Sequence, residues 1–163
     1  MNKQYLYKSK IYSIINCTKE DIPVHIEKVS SYWSEQIINL QEHLLENCIN
    51  TGLAKQLVND KNQTQAVIYG TYYNNRIITS YLLWMRSKKL FSLLAYYLRT
   101  KSDITTILFK PHTMNPVPFE FMVKPSSIRR YYSHNSPLVI DLYSPVNKEL
   151  GYHLFREGLA KEI

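Results

Sequence analysis

At 163 residues, 45% of them hydrophobic and 20% charged, the chain is long enough to bury one full core and too apolar to stay disordered. Its two cysteines, Cys17 and Cys48, are too few for a bridge-dependent secreted scaffold, and Met1–Lys10 holds no apolar leader, so the expected location is a reducing cytoplasm. The net charge of +7 calls for an anionic partner without naming it, and no stretch approaches the roughly 18 apolar residues of a membrane span.

Along the chain, the β-branched run KIYSIIN (Lys10–Asn16) predicts a strand. Thr18 with Asp21 predicts a capped helix start, the hydroxyl accepting from an early helical amide. Ile26, Val29, Trp33, Ile37, Leu40 and Leu44 then recur at three- and four-residue steps, which predicts helix from Ile22 to about Asn50, broken near Ser30-Ser31. Gly52 reads as the stop, and Leu53–Asn59 as a further helical turn. The strongest local signal is AVIYGTYY-NN-RIITSYLLW, two β-rich runs about Asn74-Asn75; asparagine accepts positive φ, so the pair predicts a tight hairpin turn.

Lys88–Leu98 fits a helix or a buried strand. Thr105–Lys110, Phe119–Lys124 and Leu138–Tyr143 read as strands set apart by prolines. Asn147–Ile163 reads as a helix with Leu150, Leu154, Phe155 and Leu159 on one side. The expectation is a single α+β domain over residues 1–163. Its parts are a mostly antiparallel sheet with a central hairpin at about 66–84, helices packed on it, and a C-terminal amphipathic helix.

Much catalytic chemistry lacks its residues. Cys17 and Cys48 have no closely spaced Cys or His partner for zinc, so no metal site is expected. There is no Walker loop, GxGxxG or GxSxG, and four glycines leave little with which to cradle a phosphate. Glu120 and Asp141 lie in apolar strands without a second carboxylate. The histidines at 25, 43, 112, 134 and 153 remain for acid–base work near neutral pH. In KPSSIRRYYSHN, Arg129-Arg130 beside Tyr131-Tyr132 offers phosphate contacts next to stacking faces, the pattern of a nucleic-acid-binding module; a solvated loop accounts for the same residues. A non-enzymatic phage or bacterial accessory protein is the third reading, in keeping with the abundance of Asn, Tyr, Ile and Lys.

The order strand, long helices, hairpin, further strands resembles the GCN5-related acyltransferase superfamily, with CTKEDIPVHIEKV (Cys17–Val29) similar to its first strand-to-helix junction. That superfamily's acyl-CoA loop has its nearest match in Lys148-Glu-Leu-Gly151-Tyr-His153. A divergent branch, the RTX toxin-activating lysine acyltransferases, is similar in size, basic, and without the standard loop. Val29–Trp33 preceding a helical histidine, the QAVIY…SYLLW hairpin, and VNKELGYHLFREGL at the end look like that branch. The resemblance implies acyl transfer from an acidic acyl carrier protein to a protein lysine, in toxin activation, with His43 as general base. It implies no cofactor beyond the acyl donor as co-substrate. His43 sits in LQEHLLE rather than the branch's Ser-x-x-His, and Leu93 stands where its aspartate is expected, leaving Asp103 as the nearest carboxylate. The candidate catalytic residues are thus His43 and Asp103, and the candidate binding residues Arg129, Arg130, Tyr131, Tyr132 and Lys148. The expected partner is an acidic macromolecule, carrier protein or protein substrate, with nucleic acid as the alternative and a homodimer left open.

Overall fold

The structure, a computed structural model, describes residues 3–28, 35–109, 138–142 and 153–163. It opens with a hairpin of β1 (Lys3–Tyr7) and β2 (Lys10–Asn16), followed by a short turn of helix and α1 (Ile22–Glu27). Then come α2 (Glu35–Thr51), β3 (Leu53–Val58), β4 (Thr64–Tyr72), β5 (Ile77–Met85) and α3 (Lys88–Lys101). β6 (Thr106–Phe109), β7 (Leu138–Asp141), a single-turn α4 (His153–Arg156) and β8 (Ala160–Glu162) complete it. The strands form one sheet in the order β7-β6-β5-β4-β3-β2-β1-β8, antiparallel except for β5 with β6. The α+β class, the mostly antiparallel sheet and the central hairpin are as expected. Among the described residues no helix is long and apolar enough to cross a membrane.

Alternation along the strands sends successive side chains to opposite faces, and each face buries its own cluster. On one, Leu90, Phe91, Leu93, Leu94 and Leu98 of α3 pack on Leu57, Ala66, Ile68, Ile78 and Leu83. On the other, Ile22 and Ile26 of α1 and Leu45 and Cys48 of α2 cover Ala54, Val67, Tyr69 and Leu82. Each fully buried Leu or Ile contributes on the order of 1.5–3 kcal/mol of transfer free energy, so both layers hold the sheet.

Three sequence expectations need correction, and the stop at Gly52 holds for a different reason. Leu53–Val58 is a central strand, not a helical turn: its Leu, Ala, Lys and Gln favour helix, but pairing with β2 and β4 prevails. Gly52 ends α2 for want of space, since a Cβ there would lie 2.3 Å from the Gly70 carbonyl oxygen. The final segment is not one long helix. α4 lasts one turn, Gly158 reverses the chain at φ +74°, and Ala160–Glu162 pairs with β1. Asn74 and Asn75 do not turn through positive φ. Instead the Asn74 Oδ1 accepts from Arg76 N (2.8 Å) and Ile77 N (3.0 Å), closing a wider loop. The tight two-residue turn lies at Lys8-Ser9, with φ 51° and 62°. Phe119–Lys124 and all of Asn147–Tyr152 lie outside the described residues.

Candidate functional site

The site is built on β5 and the two strands beside it. β4 and β5 slip register between Tyr69 and Gly70, so that Gly70 faces Ser80 while Tyr69 faces Leu82, and Tyr81 is the extra residue of a bulge. Gly70 permits this. A Cβ there would sit 2.4 Å from Ile78 Cγ2 and 2.7 Å from the Thr79 oxygen. The buried Ser80 hydroxyl lies 3.2 Å from the Tyr69 carbonyl and 3.3 Å from that of Leu82, and donates to the carbonyls the bulge disturbs. On its other edge β5 pairs in parallel with β6 over Ile77–Ser80 against Thr106–Phe109. Phe109, opposite Ser80, is the last described residue of β6, and the bulge at Tyr81 follows directly on β5. Chain continuity then passes through Arg86 to Ser87, whose hydroxyl accepts from Leu90 N at 3.2 Å and starts α3.

Beneath α1 lies a buried polar chain. His25 is fully buried. Its Nδ1 is 2.6 Å from the Tyr69 hydroxyl, and its Nε2 is 3.1 Å from Gln56 Oε1 and 3.2 Å from Thr64 Oγ1. Gln56 Nε2 donates to Asp21 Oδ2 at 3.1 Å, and that same oxygen accepts from the Thr18 amide (2.8 Å) and hydroxyl (3.0 Å). The expected cap is therefore present with Asp21, not the Thr18 hydroxyl, as acceptor. A carboxylate oxygen only accepts, so every proton in the chain is assigned from this end. Gln56 must offer its NH2 to Asp21 and its carbonyl to His25. His25 then carries its proton on Nε2, and its Nδ1 accepts from Tyr69. The buried Cys17 lies in the same cluster as Tyr69.

Burial is the first cause of every shift in this chain. It lowers His25 from its ordinary range, against the opposing pull of Gln56 and Asp21. It pushes Cys17 up to about 12 and raises Tyr69. At neutral pH the imidazole, the thiol and the phenol are all uncharged.

Asp21, Gln56 and Thr64 also form the wall of an open cavity of about 570 Å3 on this face. Lys28 and Arg86 bring positive charge to it, and Lys28 Nζ stands 4.4 Å from the centre of the Trp84 ring. Trp84 and Arg86 follow the bulge in sequence, so the cavity and the bulge share one stretch of chain. Among the described residues no three His, Cys, Asp or Glu side chains converge as metal ligands.

No family model matches the chain, and neither does any curated protein. Among solved structures it is similar to Ard1 from Thermoplasma volcanium, at 10% identity and a TM-score of 0.41, over 76% of this chain and 80% of that one. That likeness is a loose one of fold, and no residue or activity is carried across from it.

His43 is exposed on α2, on the side away from the buried Gln41, Leu45 and Cys48, and makes no hydrogen bond or ion pair among the described residues. Asp103 is exposed just after α3. Since α2 and α3 cover opposite faces of the sheet, the structure does not bring these two together. Leu93 is wholly buried in the α3 layer, where a carboxylate could not be accommodated without a partner. Arg129, Arg130, Tyr131, Tyr132 and Lys148 lie outside the described residues. The residue that sequence reasoning failed to single out is His25. Its signal was spacing: Asp21 and His25, like Ile22 and Ile26, are four apart, which puts the histidine on the buried stripe of α1.

Proposed function

We propose that the chain is an acyltransferase of the GCN5-related kind, moving an acyl group from an acyl carrier protein to a protein lysine. The observation that carries this reading is the β5–β6 pair, two parallel strands joined through α3, with a bulge at Tyr81 of β5 just beyond the pairing of Ser80 with Phe109. In this reading backbone N–H groups beside the bulge bind the carbonyl of an extended thioester and the oxyanion formed from it. The acidic carrier and the lysine acceptor come from the sequence resemblance, and the net charge of +7 suits an acidic donor.

In the reaction the unprotonated lysine amine attacks the thioester carbonyl carbon. The C–N bond forms, the C–S bond breaks, and the thiolate leaves. A general base takes the proton released from nitrogen and passes it to the thiolate. His43, exposed and unpaired, is the base in this scheme, and Asp103 has no part in it.

The test is to incubate the full chain with a carrier protein loaded with a labelled acyl thioester and a lysine-bearing peptide. Mass spectrometry should find the acyl group on the peptide as a hydroxylamine-resistant amide. Carrier and peptide returned unchanged would end the reading. A His43→Ala variant should lose roughly 100-fold or more in rate; full activity would remove His43 while leaving acyl transfer in place.

A further inference from the structure

A second concave surface lies at the far end of the sheet from β5, where the β1–β2 turn, the start of α3 and the turn before β8 meet. This groove encloses about 380 Å3, and its lining includes Leu6, Lys8, Lys89, Leu159 and Lys161. The three lysines come from three separate elements, and no carboxylate lines the groove among the described residues. The nearby Glu162 is engaged by Lys3 at 3.2 Å and Lys101 at 3.5 Å. Like charges held together without a counter-ion repel one another, and a partner's carboxylates would relieve that.

The apolar part of the groove is equally deliberate. Leu6 stands opposite Lys161 on β8 and opposite Ile11 on β2, so Ile11, Leu6 and Lys161 form a row across three neighbouring strands. Ile11 is 43% exposed, Leu6 37% and Leu159 56%. Leu159 cannot turn inward. Gly158 reverses the chain at φ +74°, the Leu159 amide is bound to the Leu154 oxygen at 2.8 Å, and the next residue, Ala160, takes the buried position. Fixed leucines beside lysines that no carboxylate of the groove meets among the described residues make a surface organised before any partner arrives.

We propose that this groove docks an acidic amphipathic segment of a partner protein, carboxylates on Lys8, Lys89 and Lys161 and apolar side chains on Leu6 and Leu159. Nucleic acid fits less well, because binding a single strand needs exposed aromatic faces, and Tyr7, the one aromatic residue of the groove, is buried. The proposal stands whether or not the chain transfers acyl groups.

The experiment titrates the full chain into a fluorescent helical peptide of alternating glutamate and leucine turns and follows anisotropy. The wild type should bind, and affinity should fall by roughly tenfold between about 50 and 300 mM salt. A K8E/K89E/K161E variant should bind at least about tenfold more weakly at low salt. Leu159→Ser should weaken binding several-fold at both salts, which a purely ionic contact would not do. Lys61→Glu, an exposed lysine outside the groove, should bind as the wild type does. Circular dichroism melts confirm that the variants are folded, and Lys8→Gln with Lys161→Gln replaces the triple reversal if that fails. Equal binding by the groove variants and the wild type overturns the proposal. So does a preference for oligo-dT or for phosphatidylglycerol vesicles that survives Leu159→Ser.

Discussion

The α3 side of the sheet buries the larger layer of side chains, and the α1–α2 side buries a smaller one by different means. Under α3, Leu90, Phe91, Leu93, Leu94 and Leu98 meet aliphatic strand residues, and a ring cluster of Tyr5, Tyr96 and Phe155 closes the end, with Tyr96 stacked on Phe155 at 3.6 Å. The Tyr5 hydroxyl there is buried without a hydrogen-bond partner among the described residues. Under α1, by contrast, each polar group of His25, Gln56 and Tyr69 is matched. A layer that tolerates an orphan hydroxyl needs only volume and apolar surface. One that lines up phenol, imidazole, amide and carboxylate has its side-chain orientations fixed, and it is the one that faces the cavity.

Mutation can break that contrast. Phe91→Ala removes a fully buried ring from the α3 layer and should lower unfolding free energy by about 3–5 kcal/mol in a urea titration, the largest effect expected. Tyr69→Phe keeps the ring and its packing but leaves His25 Nδ1 without its donor, and should cost about 1–3 kcal/mol by the same measurement. A Tyr69→Phe loss near zero would mean that the polar chain contributes nothing as a chain. A loss exceeding that of Phe91→Ala would invert the comparison.

The difference also explains what the sequence could reveal. The α3 layer is written in apolar spacing, and although Lys88–Leu98 suits either helix or strand, its leucines are unmistakably core. The central hairpin was legible from its alternation, yet its turn was not. Asn74 acts through its side chain, while the positive-φ turn falls on Lys8-Ser9, residues with no special liking for it. β1 passed unseen because only Tyr5 and Tyr7 of KQYLY face inward, and β8 because three residues carry no period. The polar chain was illegible for a deeper reason. His25, Gln56 and Tyr69 sit on three elements, 31 and 44 residues apart from the histidine, and only the sheet register brings them together.

The smallest effect concerns pH, and it tests the proton assignment itself. In the unfolded chain His25 titrates near ~6.5; in the fold, burial holds it lower. Between those two values the unfolded chain binds a proton that the folded one refuses, so acid favours unfolding. The stability gained by keeping His25 neutral is complete above ~6.5 and declines below it, by at most about 1.4 kcal/mol per pH unit. The groups bearing on His25 are Asp21, which opposes the shift, and Lys28, which adds to it. Protonation would place an N–H on Nδ1, facing a Tyr69 hydroxyl that now donates to it. The phenol would have to turn its hydrogen away. Urea midpoints for the wild type and His25→Gln, compared from about pH 7.5 down to about 5.5, isolate this contribution from other titrating groups. The wild type should lose stability more steeply than the variant over that interval. Parallel slopes would show that His25 accepts its second proton as readily folded as unfolded, and the one-way chain from Tyr69 to Asp21 would have to be redrawn.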